Sequence, residues 1–165
     1  MATVETPTEL FVHELGAALT MEETILELLE NLQDKAFDGK LRQQLQQHHT
    51  ETQQQVQNLR RIFEALGRQP VKQPCPAIEG LEKDGEQLIK QVDDALVDSV
   101  ILGAVIKTEH LEVAVYDGLI IKAAQLDDDD IVALLQENLE QEEATLDKAV
   151  KAAEQSAQVL VGQYS

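Results

Sequence analysis

Apolar residues recur along this chain at steps of three and four, the spacing that lines one face of an α-helix. The first such stripe reads Phe11, Leu15, Ala18, Glu22, Ile25, Leu29, Leu32. Thr6 is a good N-cap for it, Pro7 suits the first helical position, and Glu9 stands where a capping box needs it. These features predict a helix over about 7–36, broken by "FDGK" at 37–40. A second stripe runs Leu41, Leu45, His48, Thr52, Val56 (or Gln55), Leu59, Phe63, Leu66, and Gly67 closes that helix over about 40–66. Its patch "LRQQLQQHHTETQQQVQN" is rich in glutamine but keeps helical spacing, which makes it a polar face rather than a low-complexity tract.

The next segment, "GRQPVKQPCPA" (67–77), holds three of the four prolines and cannot be helical. A short, glycine-weakened helix follows over 77–92. A third long helix is predicted over about 94–125, with Ile101, Val105, Thr108 or Glu109, Glu112, Val115 and Leu119 facing inward. "DDDD" (127–130) supplies a turn and a favourable acidic N-terminus for a fourth, over about 128–157. Its stripe is Ile131, Leu135, Leu139 or Asn138, Glu142, Leu146 or Thr145, Ala149; the tail "VLVGQYS" gives no clear pattern.

Four helices of this size are each on the order of 40–48 Å long. Short connections make the first and last pairs antiparallel hairpins. The connection at 67–93 is long: ten extended residues span about 33 Å, and the short helix adds about 20 Å. That reach lets the second and third long helices run parallel. The expected fold is all-α: a four-helix bundle with one long crossover carrying a short extra helix, the ferritin-like topology, in a single domain over residues 1–165.

Composition agrees. Aromatic residues are 3% of the chain and tryptophan is absent, so the core must be built from Leu, Ile, Val and Ala. The formal charge of −18 repels nucleic acid and anionic membrane, which are excluded as partners. The one cysteine, Cys75, rules out an intramolecular disulfide and a cysteine-based zinc site. No signal peptide is read at "MATVETPTEL", and no apolar run approaches about 20 residues. The expected setting is cytoplasmic.

What the composition does not explain is the ionisable residue in the middle of every stripe. The first helix has Glu22, the second His48 followed by Glu51, the third Glu109 and Glu112, the fourth Glu142. Within each hairpin these positions lie at comparable distances from the turn, so the charges fall at roughly one level. Taken singly, each has an ordinary explanation: Glu22 adjoins Glu23, His48 could be a hydrogen-bonded interior histidine, and Glu142 sits in the dense acidic run "ENLEQEEA". Glu109 and Glu112 are the sharpest signal, because their neighbours in "VIKTEHLEVAVYDGL" are largely apolar. Five carboxylates and an imidazole converging in a core would repel one another and resist desolvation. Two divalent cations would offset that charge. Hard oxygen ligands with one imidazole suit iron or manganese, with zinc as a substitute. His110, between the two glutamates, lies about 100° around the helix from Glu109 and is expected to point away.

Five segments, "TELFVHELGAALTMEETIL", "HHTETQQQVQNLRRIFEALG", "CPAIEGLEKDGEQLI", "DSVILGAVIKTEHLEVAVYDGL" and "LLQENLEQEEATLDKAV", resemble in order the YciE/YciF-like stress proteins, a ferritin-like family. The resemblance spans about residues 6–153, and "EHLEVAVYDGL" is its most specific part (the family reads much like "EHYEIAAYGTL"). It implies a ferritin-like bundle, usually a homodimer, with a di-iron-type centre between the helices. The family's acidic positions fall on Glu22, Glu51, Glu109, Glu112 and Glu142, and its histidine falls on His48. There are departures. The second helix reads His-x-x-Glu rather than Glu-x-x-His, Thr145 stands where a histidine would follow Glu142, and Gln141 replaces a frequent glutamate. No cysteine pairs exist for a rubrerythrin-type electron-transfer iron, so any reducing electrons must come from an external donor.

Two readings of function follow. In one, the protein is a di-metal carboxylate protein of stress response that reacts with peroxide or oxygen. Glu51 and Glu142 would then be shared ligands, Glu22, Glu109 and Glu112 terminal ones, and His48 a ligand or a donor to one. In the other, it is a structural or partner-binding bundle whose acidic core is protonated or holds an inert metal. The sequence leaves open whether the protein is an enzyme.

Overall fold

The computed structural model describes residues 3–165. Five helices follow one another: α1 (Pro7–Lys35), α2 (Gly39–Ala65), α3 (Pro76–Ile89), α4 (Asp94–Ala123) and α5 (Asp129–Tyr164). Local chemistry sets their starts. The Thr6 hydroxyl accepts from Glu9 N at 3.2 Å, and the Glu9 carboxylate accepts from Thr6 N at 3.0 Å, a complete capping box. Asp38 accepts from Lys40 N at 2.7 Å, and Asp128 accepts from Asp130 N and Ile131 N at 3.1 and 3.2 Å. Gly67 takes the left-handed conformation (φ 66°) just beyond α2.

Pairings across the bundle give the topology. Lys122 of α4 pairs with Glu14 of α1 at 2.9 Å. At the other end the Asp98 carboxylate accepts from Phe37 N and Asp38 N at 2.8 and 2.9 Å, clasping the α1–α2 turn. Helices α1 and α4 are therefore antiparallel. Asn58 meets Asn138 while Thr145 meets Glu51, so α2 and α5 are antiparallel as well. Since α1 and α2 form a hairpin, α2 and α4 run parallel, joined by the crossover. This is the ferritin-like bundle with one long crossover.

The crossover is seated on α1. Gln73 N donates to the Gly16 carbonyl at 3.1 Å, and Lys72 and Arg60 both pair with Glu23, at 2.6 and 2.8 Å. Glu23 thus belongs to the crossover side of α1, and Glu22 turns to the core with no exposed surface. Helix α3 lies against α4 and α1 through the fully buried Ile78.

The core stripes of α1 and α2 match the sequence periodicity, with both Val56 and Gln55 buried and Leu66, at the C-cap, only partly covered. One detail departs from it and two settle what it left open. On α4 the buried residue is Tyr116, and Val115 is only partly covered, because the stripe steps by four after Glu112. On α5, Asn138 is fully buried and Leu139 half-buried. Helix α5 also continues through the ambiguous tail to Tyr164, since nothing there breaks it. Among the described residues no helix is long and apolar enough to cross a membrane.

Gly16 is required by a close approach. A Cβ there would lie 2.3 Å from the Val71 carbonyl oxygen, a backbone atom with little room to yield. Gly16→Ala should therefore lower stability by about 1–3 kcal/mol despite its better helix propensity. Gly103 on α4 has no atom within 4 Å of such a Cβ. Gly103→Ala should raise stability by about 0.5–1 kcal/mol. Urea unfolding of the two variants, read by circular dichroism, should move in opposite directions.

Candidate metal centre

Four side chains converge at mid-bundle: His48 from α2, Glu109 and Glu112 from α4, and Glu142 from α5. One ligand atom of each lies within 4.8 Å of the others. The three glutamates are fully buried and His48 is 4% exposed. His48 Nε2 lies 3.0 Å from Glu109 Oε1 and 3.9 Å from Glu142 Oε2. Neither contact has hydrogen-bond alignment, so the ring nitrogen and the carboxylates face a common region without engaging each other. The helical spacing explains the convergence: Glu109 and Glu112, three apart, share one face of α4.

The other two sequence candidates stand apart from this tight group. Glu22 reaches it from α1, fully buried, with Glu112 and Glu142 as its acidic neighbours. Tyr116 donates a short hydrogen bond to Glu22 Oε1, leaving Oε2 buried without a partner. Glu51 is half-buried at the rim, where Gln47 donates to it at 2.9 Å and Thr145 at 3.4 Å. It shares a narrow cleft of about 40 Å³ with His48, Gln44, Thr145 and Lys148. His110 is exposed, as its angle on the helix implied.

Burial is the main influence on the acids. It raises Glu142 to about 7 and, with repulsion from Glu142, Glu22 to about 8. Burial and the surrounding carboxyls push Glu109 and Glu112 well above the ordinary range. His48 moves the other way, to about 4, because burial and the nearby positive charges of His49 and Lys148 disfavour the imidazolium. At neutral pH it is therefore a neutral imidazole, the form that ligates metals. Both ring nitrogens of His48 and both oxygens of Glu109, Glu112 and Glu142 are buried without hydrogen-bond partners. Such atoms cost free energy unless something partners them. Carboxylate oxygens with one imidazole form a donor set that suits a divalent cation, and Cys75 lies away in the crossover. The residues present fit a metal.

Sequence reasoning missed a polar layer next to the acids. Asn138 Nδ2 donates to the Tyr116 hydroxyl at 3.1 Å, and Asn58 Nδ2 donates to Asn138 Oδ1 at 2.8 Å. A signal was present: Tyr116 follows Glu112 by four and Asn138 precedes Glu142 by four, so each lies one turn from a glutamate on the same stripe. Thr52 and Thr108, also buried, bond the His48 and Ala104 carbonyls of their own helices at 2.9 Å. Gln141, the substituted glutamate, accepts from Gln55 at 3.1 Å.

The raised acids make a pH prediction for the metal-free protein. Between the ordinary value of 4.5 and the folded values of about 7 for Glu142 and about 8 for Glu22, the folded state holds protons that the unfolded state has released. Their contribution is complete below pH 4.5 and is lost as pH rises through 7 and 8. His48 opposes this below its ordinary 6.5, one group against four. After chelator treatment, the melting temperature should fall from pH 5.5 to pH 8.5 by on the order of 5–10 °C, and bound metal should abolish the fall.

Comparison with known proteins agrees with the fold. The chain is 31% identical over 147 residues to protein YciF of Escherichia coli strain K12, covering 88% of this chain and 87% of that protein. The crystal structure of the E. coli stress protein YciF superposes with a TM-score of 0.88 at 28% identity, covering 93% of this chain and 98% of that one. YcfI of Rhodopseudomonas palustris superposes with a TM-score of 0.86 at 34% identity, covering 88% and 94%. From residue 6 to residue 160 the chain matches the family described as "Domain of unknown function (DUF892)", and it belongs to that family.

Proposed function

We propose that this protein binds two divalent metal ions, iron or manganese, in its core and acts in stress response by reacting with peroxide or oxygen. The observation that carries the reading is the group His48, Glu109, Glu112 and Glu142, whose ligand atoms are buried, mutually close and unpartnered. A bundle with no use for a cation would be as stable or more so with the whole group replaced by apolar residues of similar volume. The similarity to a stress protein, E. coli YciF, supports the biological setting.

His48, Glu109, Glu112 and Glu142 would hold the metal ions, with Glu22 from α1 and Glu51 from the rim. Bound there, a pair of redox-active ions supplies two-electron chemistry toward a peroxide or oxygen. The chain's own residues do the rest. Leu102 and Val105 narrow the cleft beside His48, restricting bulk water. The neutral His48 imidazole gives a nitrogen ligand without adding positive charge. The protonated glutamates must release their protons as cations bind, so the acids act as the proton source of loading.

Purified from iron- or manganese-supplemented cells, the protein should carry about two metals per chain by elemental analysis. Glu109→Ala should retain less than half of that. Manganese uptake near pH 7 should release protons, seen as a dependence of calorimetric heat on buffer ionisation enthalpy, and affinity should strengthen from pH 6 to 8. Stoichiometry below about one in the wild type, unchanged in Glu109→Ala, would sink the metal reading. Peroxide left undiminished by the loaded forms would leave an inert metal staple in place of an oxidant-reactive centre.

A further inference from the structure

A line of side-chain hydrogen bonds runs from the α2 surface to the edge of the acid cluster, and every member donates in the same direction. Gln54 Nε2 donates to Asn58 Oδ1 at 3.2 Å, Asn58 Nδ2 to Asn138 Oδ1 at 2.8 Å, Asn138 Nδ2 to the Tyr116 hydroxyl at 3.1 Å, and that hydroxyl to Glu22 Oε1. Asn58, Asn138 and Tyr116 have no exposed surface. Head-to-tail bonds polarise one another in a low-dielectric interior. Because the Tyr116 oxygen accepts a hydrogen bond from Asn138 Nδ2, its own hydroxyl hydrogen is directed at Glu22.

This line treats the five buried ligands unequally. No hydroxyl or amide stands in hydrogen-bond geometry to Glu109, Glu112 or Glu142, whose oxygens face the neighbouring carboxyls, whereas Tyr116 takes one oxygen of Glu22 and leaves only Oε2 toward the cluster. Glu22 is also outside the group whose ligand atoms lie within 4.8 Å of one another.

We propose that Tyr116 and Asn138 are positioning residues that hold Glu22 as a one-oxygen ligand and thereby make the two metal positions unequal. The first ion fills the ready-made set His48, Glu109, Glu112 and Glu142. The second depends on Glu22 Oε2, and its affinity is set by the Tyr116–Asn138 line. The inference rests on the two-metal reading above.

The chain itself supplies the reporter. It has no tryptophan and two tyrosines, Tyr116 and Tyr164, the latter 66% exposed at the C-terminus. In Tyr164→Phe, Tyr116 is the sole fluorophore. Zinc(II), which does not quench through paramagnetism, is titrated into the chelator-treated full-length variant. Calorimetry gives the two affinities, and tyrosine emission shows which equivalent Tyr116 senses. The emission change should follow the second equivalent. Tyr116→Phe, a loss of one oxygen atom, should weaken the second equivalent by about 10–100-fold and leave the first within about threefold. Asn138→Leu should weaken the second equivalent in the same sense by less, because the Tyr116 bond survives. Circular dichroism before titration establishes that each variant is folded. Equal weakening of both equivalents, no change in either, or an emission change complete at the first equivalent overturns the proposal while leaving the two-metal reading intact. A wild type that takes up no metal overturns both.

Discussion

Glu22, Glu109, Glu112 and Glu142 are buried together with a neutral His48 and, among the described residues, no Lys or Arg paired to any of them, and the bundle is built around that constraint. A carboxylate taken from water costs several kcal/mol even after relaxation, and neighbours of like charge add to it. The core therefore holds these groups either as protons' carriers or as ligands to cations, and the raised acids show the direction of the first state. The neutral His48 completes a donor set that a divalent ion would satisfy. Removing the constraint by substituting leucine would leave an ordinary bundle and no site.

Bringing ligands from four helices to one level demands accurate longitudinal register. The capping box at Thr6 and Glu9 defines where α1 starts, Asp98 clasps the α1–α2 turn, and Gly16 lets the crossover rest on α1. These devices are remote from the acids, yet a slip of one turn in any helix would move its ligand by about 5.4 Å. The crossover matters most, because only a long connection lets α2 and α4 run parallel and so present His48 and the α4 glutamates to the same interior.

The local arrangement around the acids is lopsided. On one side a ready-made set of four ligands adjoins a narrow cleft with Glu51 at its rim. On the other, Tyr116 and two asparagines occupy core positions where apolar residues would pack as well and be easier to bury. Buried polar groups of that kind are tolerated because they satisfy each other, and here the satisfaction ends on Glu22.

Much of this was written in the one-dimensional pattern. Helical periodicity with interrupting acids assigns Glu22, His48, Glu109, Glu112 and Glu142 to inward faces, because burial in a helix follows from a spacing that any reader can count. The crossover's proline content and length determine the parallel pairing for a similar reason: chain reach is a local property. What periodicity leaves open is a rotation of a few tens of degrees, and that is the difference between Val115 and Tyr116, Leu139 and Asn138, or Glu22 and Glu23. Tertiary structure decided those, through the neighbours each residue meets: Lys72 and Arg60 hold Glu23 outward, while Tyr116 and Asn138 find each other across two helices. It likewise placed Glu51 at the rim rather than among the tight four, since a hydrogen bond from another helix, such as that of Thr145, has no trace in the spacing of α2. The sequence by itself determined the inward face of each helix to within a residue or so; only the folded bundle decided which residue on that face is buried and which of them meet, because an inward face is a property of one helix and a binding site is a property of several.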